Sequence, residues 1–493
     1  MAGALAAAVG LGAAELVAGA IPTGRSPVVA VADRVIRIGP PSWERFLIDV
    51  FGTNDKPALV TVILVVTIAL GALAGRSRPP LARALIAGAA AIGAWSAYLE
   101  RDASWVHAVP PVVGGAATAL TLHLLWRAMQ DRTVSPLTPV GADRRRVLVA
   151  GSAAAAVAAF AGGTGRALQG RVDAAASRAA VRLPTPVSTL GTAPVGTDFG
   201  LPGLSPFFTP NDRFYRIDVS LVVPQVETKG WTLKLDGMVD HPQTYTYEQL
   251  LARKLVEADV TLMCVSNEVG GNLIGNARWL GVPLRELLEE AGPHANADQV
   301  VGRAVDGFTT GFPLKNALDG REALVVVGMN GETLPLRHGF PARLIVAGLY
   351  GYVSATKWLE QIEITRFDAY TPYWVERGWS TYGPIKVGSR IDTPHGKVAR
   401  GTVPVAGVAW AQHRGIARVE VRVDDGPWHD ATLAAVDTID TWRQWRWEWP
   451  ATKGSHRLRV RATTLDGEVQ TADEVDPFPD GATGLHTVGV KVT

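Results

Sequence analysis

Cysteine is almost absent from this chain: Cys264 is the only one in 493 residues. A single thiol excludes an intrachain disulfide, a C-x-x-C zinc site and a C-x-x-C-H haem attachment. Nucleotide-binding loops are absent too. No G-x-G-x-x-G follows a strand-like run and no G-x-x-x-x-G-K-[ST] occurs, so neither a dinucleotide site nor a P-loop has support. Charge is scarce and balanced. Asp, Glu, Lys and Arg make up 19% of residues with a formal net charge of +2, which removes the basic footprint of a nucleic-acid partner. Histidines are few, and among the apolar runs of the N-terminal third only the fourth holds any. His107 and His123 in that run lie about 24 Å apart along a helix, too far to share one haem.

What the chain does have is apolar length. Residues 1–21, 58–75, 81–99, 104–126 and 147–163 are apolar runs with almost no charge. A membrane span needs roughly 17–25 such residues, so five spans are expected over 1–163. The first run lacks the basic start of a signal peptide and reads as a retained helix. Arg76, Arg78 and Arg83 separate the second and third runs, and Arg127, Arg132, Arg144, Arg145 and Arg146 separate the fourth and fifth. By the positive-inside rule both loops face the cytoplasm, which leaves everything after about 165 outside. Ser42–Phe51 reads as an interfacial helix. Residues 164–200 are rich in Ala, Gly, Pro and Thr and read as a linker.

Chemistry concentrates after residue 200. Asp259–Met263 suits a buried strand, and Asn267 with Gly270 and Gly271 suits the turn that ends it. Cys264 stands at the join. A lone cysteine is often only a buried apolar side chain, but a thiol at a strand tip can also reach a cleft as nucleophile or soft metal ligand. Leu284–Glu290 reads as a short helix with one leucine face, opened by Pro283 and capped by Gly292. Arg343 opens an apolar strand, Leu344–Val346, where a charge needs a partner. Arginine matches a phosphate with two parallel bonds, and Lys357 adds a point charge. Short strands and helices alternate to about 365, an α+β pattern.

The segment Cys264–Trp279, followed by His338-Gly339-Phe340-Pro341-Ala342-Arg343 and then Gly351 to Lys357-Trp358, resembles the sulfite oxidase family of molybdopterin enzymes. The resemblance runs from about Phe207 to the C-terminus. It implies a Mo-molybdopterin cofactor with the Cys264 thiolate on the metal. It implies cofactor contacts from His338, Arg343 and Lys357, with Asn267, Ser354 and Thr356 inside the same motifs. Asp306 and Arg216 lie in looser matches, Arg216 as a catalytic residue. Phe308 is the nearest match to the family's active-site tyrosine. The family's paired arginines after the cysteine are here Glu268 and Val269, and its Arg-Asn-His run is Arg216-Ile217-Asp218. Acidic groups at these places disfavour a sulfite dianion and favour a neutral or cationic oxide.

Residues 394–493 alternate like short strands, with Asp425-Gly426 as a hairpin turn. The expectation is an immunoglobulin-like β-sandwich, which the resemblance makes a dimerisation domain. The domain reading is therefore a helical membrane bundle at 1–163, a linker at 164–200, a molybdopterin domain at 201–393 and the sandwich at 394–493. The functional reading is a molybdenum oxidoreductase anchored to a lipid bilayer. It acts on a small molecule outside the membrane, and a separate carrier takes its electrons because no second redox motif exists. The other reading is a cofactor-free surface protein whose sandwich is a recognition module.

Overall fold

The computed structural model describes residues 2–21, 26–39, 55–99, 104–130, 152–153, 155–165 and 174–493. It forms two compact units: 1–173 with 220–222, and the remainder.

In the first unit, Ala2–Ala20, Lys56–Ala74, Pro79–Tyr98 and Trp105–Arg127 are long and apolar enough to cross a membrane. They coincide with the first four runs read from sequence. Glycines let the backbones approach. A Cβ on Gly10 would stand 2.5 Å from the Gly114 carbonyl oxygen, and one on Gly71 would stand 2.7 Å from that of Gly3. Small residues at such crossings are what packing between apolar helices requires. Of the fifth run, the described residues include an apolar helix, Ala155–Gly165. The earlier half of that run, the Arg144–Arg146 loop, the Glu100–Asp102 turn and the 42–51 segment lie outside the described residues.

Ahead of its C-terminal module the second unit holds two five-stranded sheets, one mixed and one antiparallel. One sheet has the spatial order β2 (Gln243–Thr246), β1 (Thr232–Gly237), β10 (Leu359–Thr365), β5 (Gln299–Ala304) and β6 (Thr309–Pro313), with only β1 and β10 parallel. The other has the order β3 (Val256–Met263), β4 (Ile274–Pro283), β7 (Ala323–Met329) and β8 (Glu332–Thr333), with β9 (Arg343–Val346) also on β7. Every residue of β7 and β9 is buried. That burial on both faces explains why their sequences read as continuous apolar runs rather than alternating ones. The helix Leu284–Ala291 lays Leu284, Leu287 and Leu288 into the core, and Gly292 closes it at φ 65°, as its sequence predicts.

The C-terminal module is all β. A four-stranded sheet (Gly388–Thr393, Gly401–Trp410, Arg443–Ala451, Thr432–Leu433) and a five-stranded one (Gly396–Val398, Thr487–Val492, Gly454–Thr464, Ile416–Val423, Trp428–Asp430) share one apolar core. The first of these strands begins ahead of the 394 boundary read from sequence.

β3 is an edge strand of its sheet, and its free edge is covered from two sides. The Val187 N–H donates to Leu255 O at 2.9 Å and Ser188 bridges Val256. Residues 174–200, expected as linker, are thus docked here, because an unpaired strand edge offers their backbone the partners it lacks. At the other end the C-terminal module takes over. The Thr261 N–H donates to Asp440 O at 3.0 Å, Gln412 Nε2 to Thr261 O at 3.0 Å, and the Trp442 N–H to Thr261 Oγ1 at 2.7 Å.

Candidate active site

Cys264 is the residue after β3. Its N–H donates to Leu273 O at 2.9 Å, and its carbonyl accepts from the Asn267 N–H at 3.1 Å. Asn267 Oδ1 accepts from the Leu273 N–H at 2.7 Å. The loop is therefore closed on itself by the asparagine, which folds inward. The thiol lies deep yet keeps part of its surface open. Burial pushes its pKa up, against hydrogen bonds from the Ser266 amide and hydroxyl.

A second loop faces this one from β9. Gly339 takes φ 111°, and a Cβ there would stand 3.0 Å from Lys357 Cα and 3.1 Å from Arg343 Cβ. Only glycine lets His338, Arg343 and Lys357 converge so closely. His338 is buried and its Nε2–H donates to Asn211 O at 2.8 Å, so Nδ1 carries no proton. Burial pulls the imidazole pKa down to about 4, and the ring is neutral at pH 7. Arg343 is 5% exposed, donates to His338 O at 3.2 Å and lies 5.1 Å from the Trp279 ring centroid. Among the described residues no carboxylate pairs with it and its Nε has no partner, and burial lowers its pKa to about 10.

The remaining residues expected from sequence fall into three places. Arg216 and Lys357 both pair with the buried carboxylate of Asp218, and Lys357 Nζ also donates to Ile217 O at 2.8 Å. The Asp218 charge is thus neutralised, which removes it as a source of repulsion, while Glu268 stays exposed. The hydroxyls of Ser354 and Thr356 turn into the protein, to Tyr350 O at 3.0 Å and Thr310 Oγ1 at 2.7 Å. Asp306 Oδ1 accepts from the Phe308 N–H at 3.1 Å, and the Phe308 ring packs edge-on against Tyr373 at 5.8 Å. Beyond Tyr370 the chain meets the C-terminal module at Trp379, whose ring packs edge-on against Phe478 at 5.4 Å.

Sequence reasoning missed Tyr215 and Tyr350. Both phenols lie close enough to Cys264 for the thiol to act on them electrostatically, and burial raises both pKa values. Neither sits in a motif. The only local signal for Tyr215 is its place between a buried Phe214 and an exposed Arg216.

Residues 220–374 match the family model described as the oxidoreductase molybdopterin binding domain. The uncharacterised oxidoreductase YuiH of Bacillus subtilis is 33% identical over 153 residues, 31% of this chain and 74% of that protein. The chain belongs to the sulfite oxidase family of molybdopterin oxidoreductases. Human mitochondrial sulfite oxidase is 27% identical over 309 residues, 53% of this chain and 56% of that one. The match with the mouse enzyme covers 52% of its length, so the chain spans about half of these curated relatives. Among solved structures, the sulfane dehydrogenase SoxCD of Paracoccus pantotrophus shares the fold, with a TM-score of 0.51 at 22% identity over 62% of this chain and 87% of that one.

Membership makes this chain a molybdenum-dependent oxidoreductase with a molybdopterin cofactor, and nothing supports the cofactor-free reading. The residues present fit that group. A buried guanidinium without a carboxylate calls for an anion, which a pterin phosphate supplies. The Asn267 Nδ2 is buried without a partner beside the cysteine loop, a donor that a polar ring edge would satisfy. The donor set also offers a single soft ligand, the Cys264 thiol, and no cluster of hard ones among the described residues.

Proposed function

We propose that this protein is a membrane-anchored, extracytoplasmic oxygen-atom-transfer enzyme in which the Cys264 thiolate is the protein ligand to molybdenum. The bound cofactor supplies two-electron oxygen-atom transfer. The chain supplies the rest. Arg343 neutralises the phosphate, Asn267 Nδ2 donates to the pterin edge, and neutral His338 offers its Nδ1 as an acceptor. Burial raises the thiol pKa, so Cys264 would hold the metal as a thiolate formed on binding.

The substrate is a neutral or cationic oxide rather than sulfite. The observation that carries this is the tie of Arg216 and Lys357 to Asp218. Both cations already share one carboxylate, and exposed Glu268 follows the cysteine in its loop. The triad keeps a net charge of +1, which the charge of Glu268 offsets, so a dianion gains little net attraction. Steady-state assays should give dimethyl sulfoxide or trimethylamine N-oxide a kcat/KM about tenfold or more above that of sulfite. Fast sulfite turnover with a low KM would overturn this.

The spans at 2–127 anchor the chain, the arginines at 76, 78 and 83 face the cytoplasm, and the part from 174 on lies outside. The C-terminal module is immunoglobulin-like and serves as a homodimer contact. A separate carrier removes or delivers electrons.

A further inference from the structure

Most hydroxyl groups of the Tyr350–Thr356 segment and its neighbours are committed. Ser354 donates to Tyr350 O at 3.0 Å, Thr356 bonds Thr310 at 2.7 Å, and Tyr352 donates to Ser380 O at 2.6 Å. The Tyr350 oxygen accepts from the Lys386 N–H at 3.5 Å. Tyr215 differs. Among the described residues its hydroxyl makes no hydrogen bond to protein. Its ring, by contrast, is fixed. It stacks on Phe214 at 5.3 Å, and Phe214 packs edge-on against Trp279 at 5.6 Å and His338 at 5.7 Å.

The hydroxyl is also aimed. It stands 3.7 Å from where a Cβ on Gly351 would be, and Met263 O stands 3.8 Å from that same point. Met263 directly precedes Cys264. The phenol oxygen and the last carbonyl of the cysteine strand thus both border the Gly351 position. Arg343 and Cys264 both act on it, and its residue keeps an open face. A hydroxyl without a protein partner keeps its hydrogen for a ligand atom that accepts it.

We propose that the Tyr215 hydroxyl is a catalytic hydrogen-bond donor to the oxygen atom that the substrate gives up or receives. This rests on the active-site reading above. The phenol keeps its proton throughout, and no bond to Tyr215 forms or breaks. It stabilises negative charge on the oxygen as its bond to sulfur or nitrogen lengthens. A neutral donor suits a neutral oxide, whose oxygen is a strong acceptor without being an anion.

Binding to the oxidised holoenzyme without reductant reads this role without turnover. The probes are dimethyl sulfoxide, trimethylamine N-oxide and sulfate, measured by calorimetry on wild type, Tyr215→Phe, Gly351→Ala and Tyr352→Phe, each checked for molybdenum content. Tyr215→Phe should keep its molybdenum and lose about five- to tenfold in affinity for whichever probe wild type binds. Gly351→Ala adds a methyl at ordinary contact distance from the phenol oxygen, keeps the donor and should bind as wild type. Tyr352→Phe removes an engaged hydroxyl and should bind as wild type. If wild type prefers sulfate to both oxides, the neutral-substrate reading fails, yet weaker sulfate binding by Tyr215→Phe still upholds the donor. A fully loaded Tyr215→Phe enzyme with unchanged affinity for all three probes overturns it.

Discussion

A guanidinium with 5% exposure and no carboxylate is costly in a cofactor-free protein. Arg343→Met should therefore have opposite effects on two measurements. The cofactor-free protein should gain about 1–2 kcal/mol of stability, seen as a rise in Tm, because a buried charge without a partner is replaced by apolar volume. The same variant should purify with little molybdenum. A stable variant with full metal would remove the phosphate role. His338 gives a pH signature. Folded, it takes a proton only at about pH 4, against 6.5 for the unfolded side chain. Its contribution to stability is full above pH 6.5 and is lost as pH falls through about 4, roughly 3 kcal/mol. Urea melts of cofactor-free protein from pH 7 to 4 should show that loss, and His338→Gln should flatten it.

The elements that hold the site come from both ends of the second unit. β3 carries Cys264 at its tip but has only one neighbour in its sheet, so the C-terminal module closes its open side. Arg390 completes the clamp. It is 8% exposed and donates to Gly271 O at 2.7 Å, Ser205 Oγ at 2.9 Å and Asp392 Oδ1 at 2.6 Å. Arg390→Met should loosen the cysteine loop. Because Cys264 is the only thiol, the alkylation rate of cofactor-free protein reports that loop alone and should rise several-fold. An unchanged rate would show that the loop holds itself. These long-range contacts explain what the sequence concealed. The β3 strand, the Leu284–Ala291 helix and the His338–Arg343 turn were legible because leucine spacing, glycine and proline fix them locally. Tyr215 and the Asp218 triad were not, since each depends on chain segments more than forty positions away meeting in space. The docked 174–200 stretch misled for the same reason: its composition is that of a linker, and a strand edge decides its place.

At the scale of the whole molecule, four apolar helices and a molybdopterin-binding part share one chain. The runs were readable because apolar length is a property of sequence alone. After a carbonate wash the full chain should stay with the membrane pellet, and protease added outside should remove a C-terminal epitope. Release into the wash would rule out spanning helices, and a protected epitope would reverse the orientation. The central claim is that Cys264 binds the metal. Molybdenum X-ray absorption on wild type and Cys264→Ser, both compared per metal atom, tests it most directly. The serine variant should show one sulfur fewer around molybdenum, together with loss of oxide turnover and an unchanged fold by circular dichroism. The same sulfur count in both proteins would contradict that claim and leave Cys264 a buried thiol.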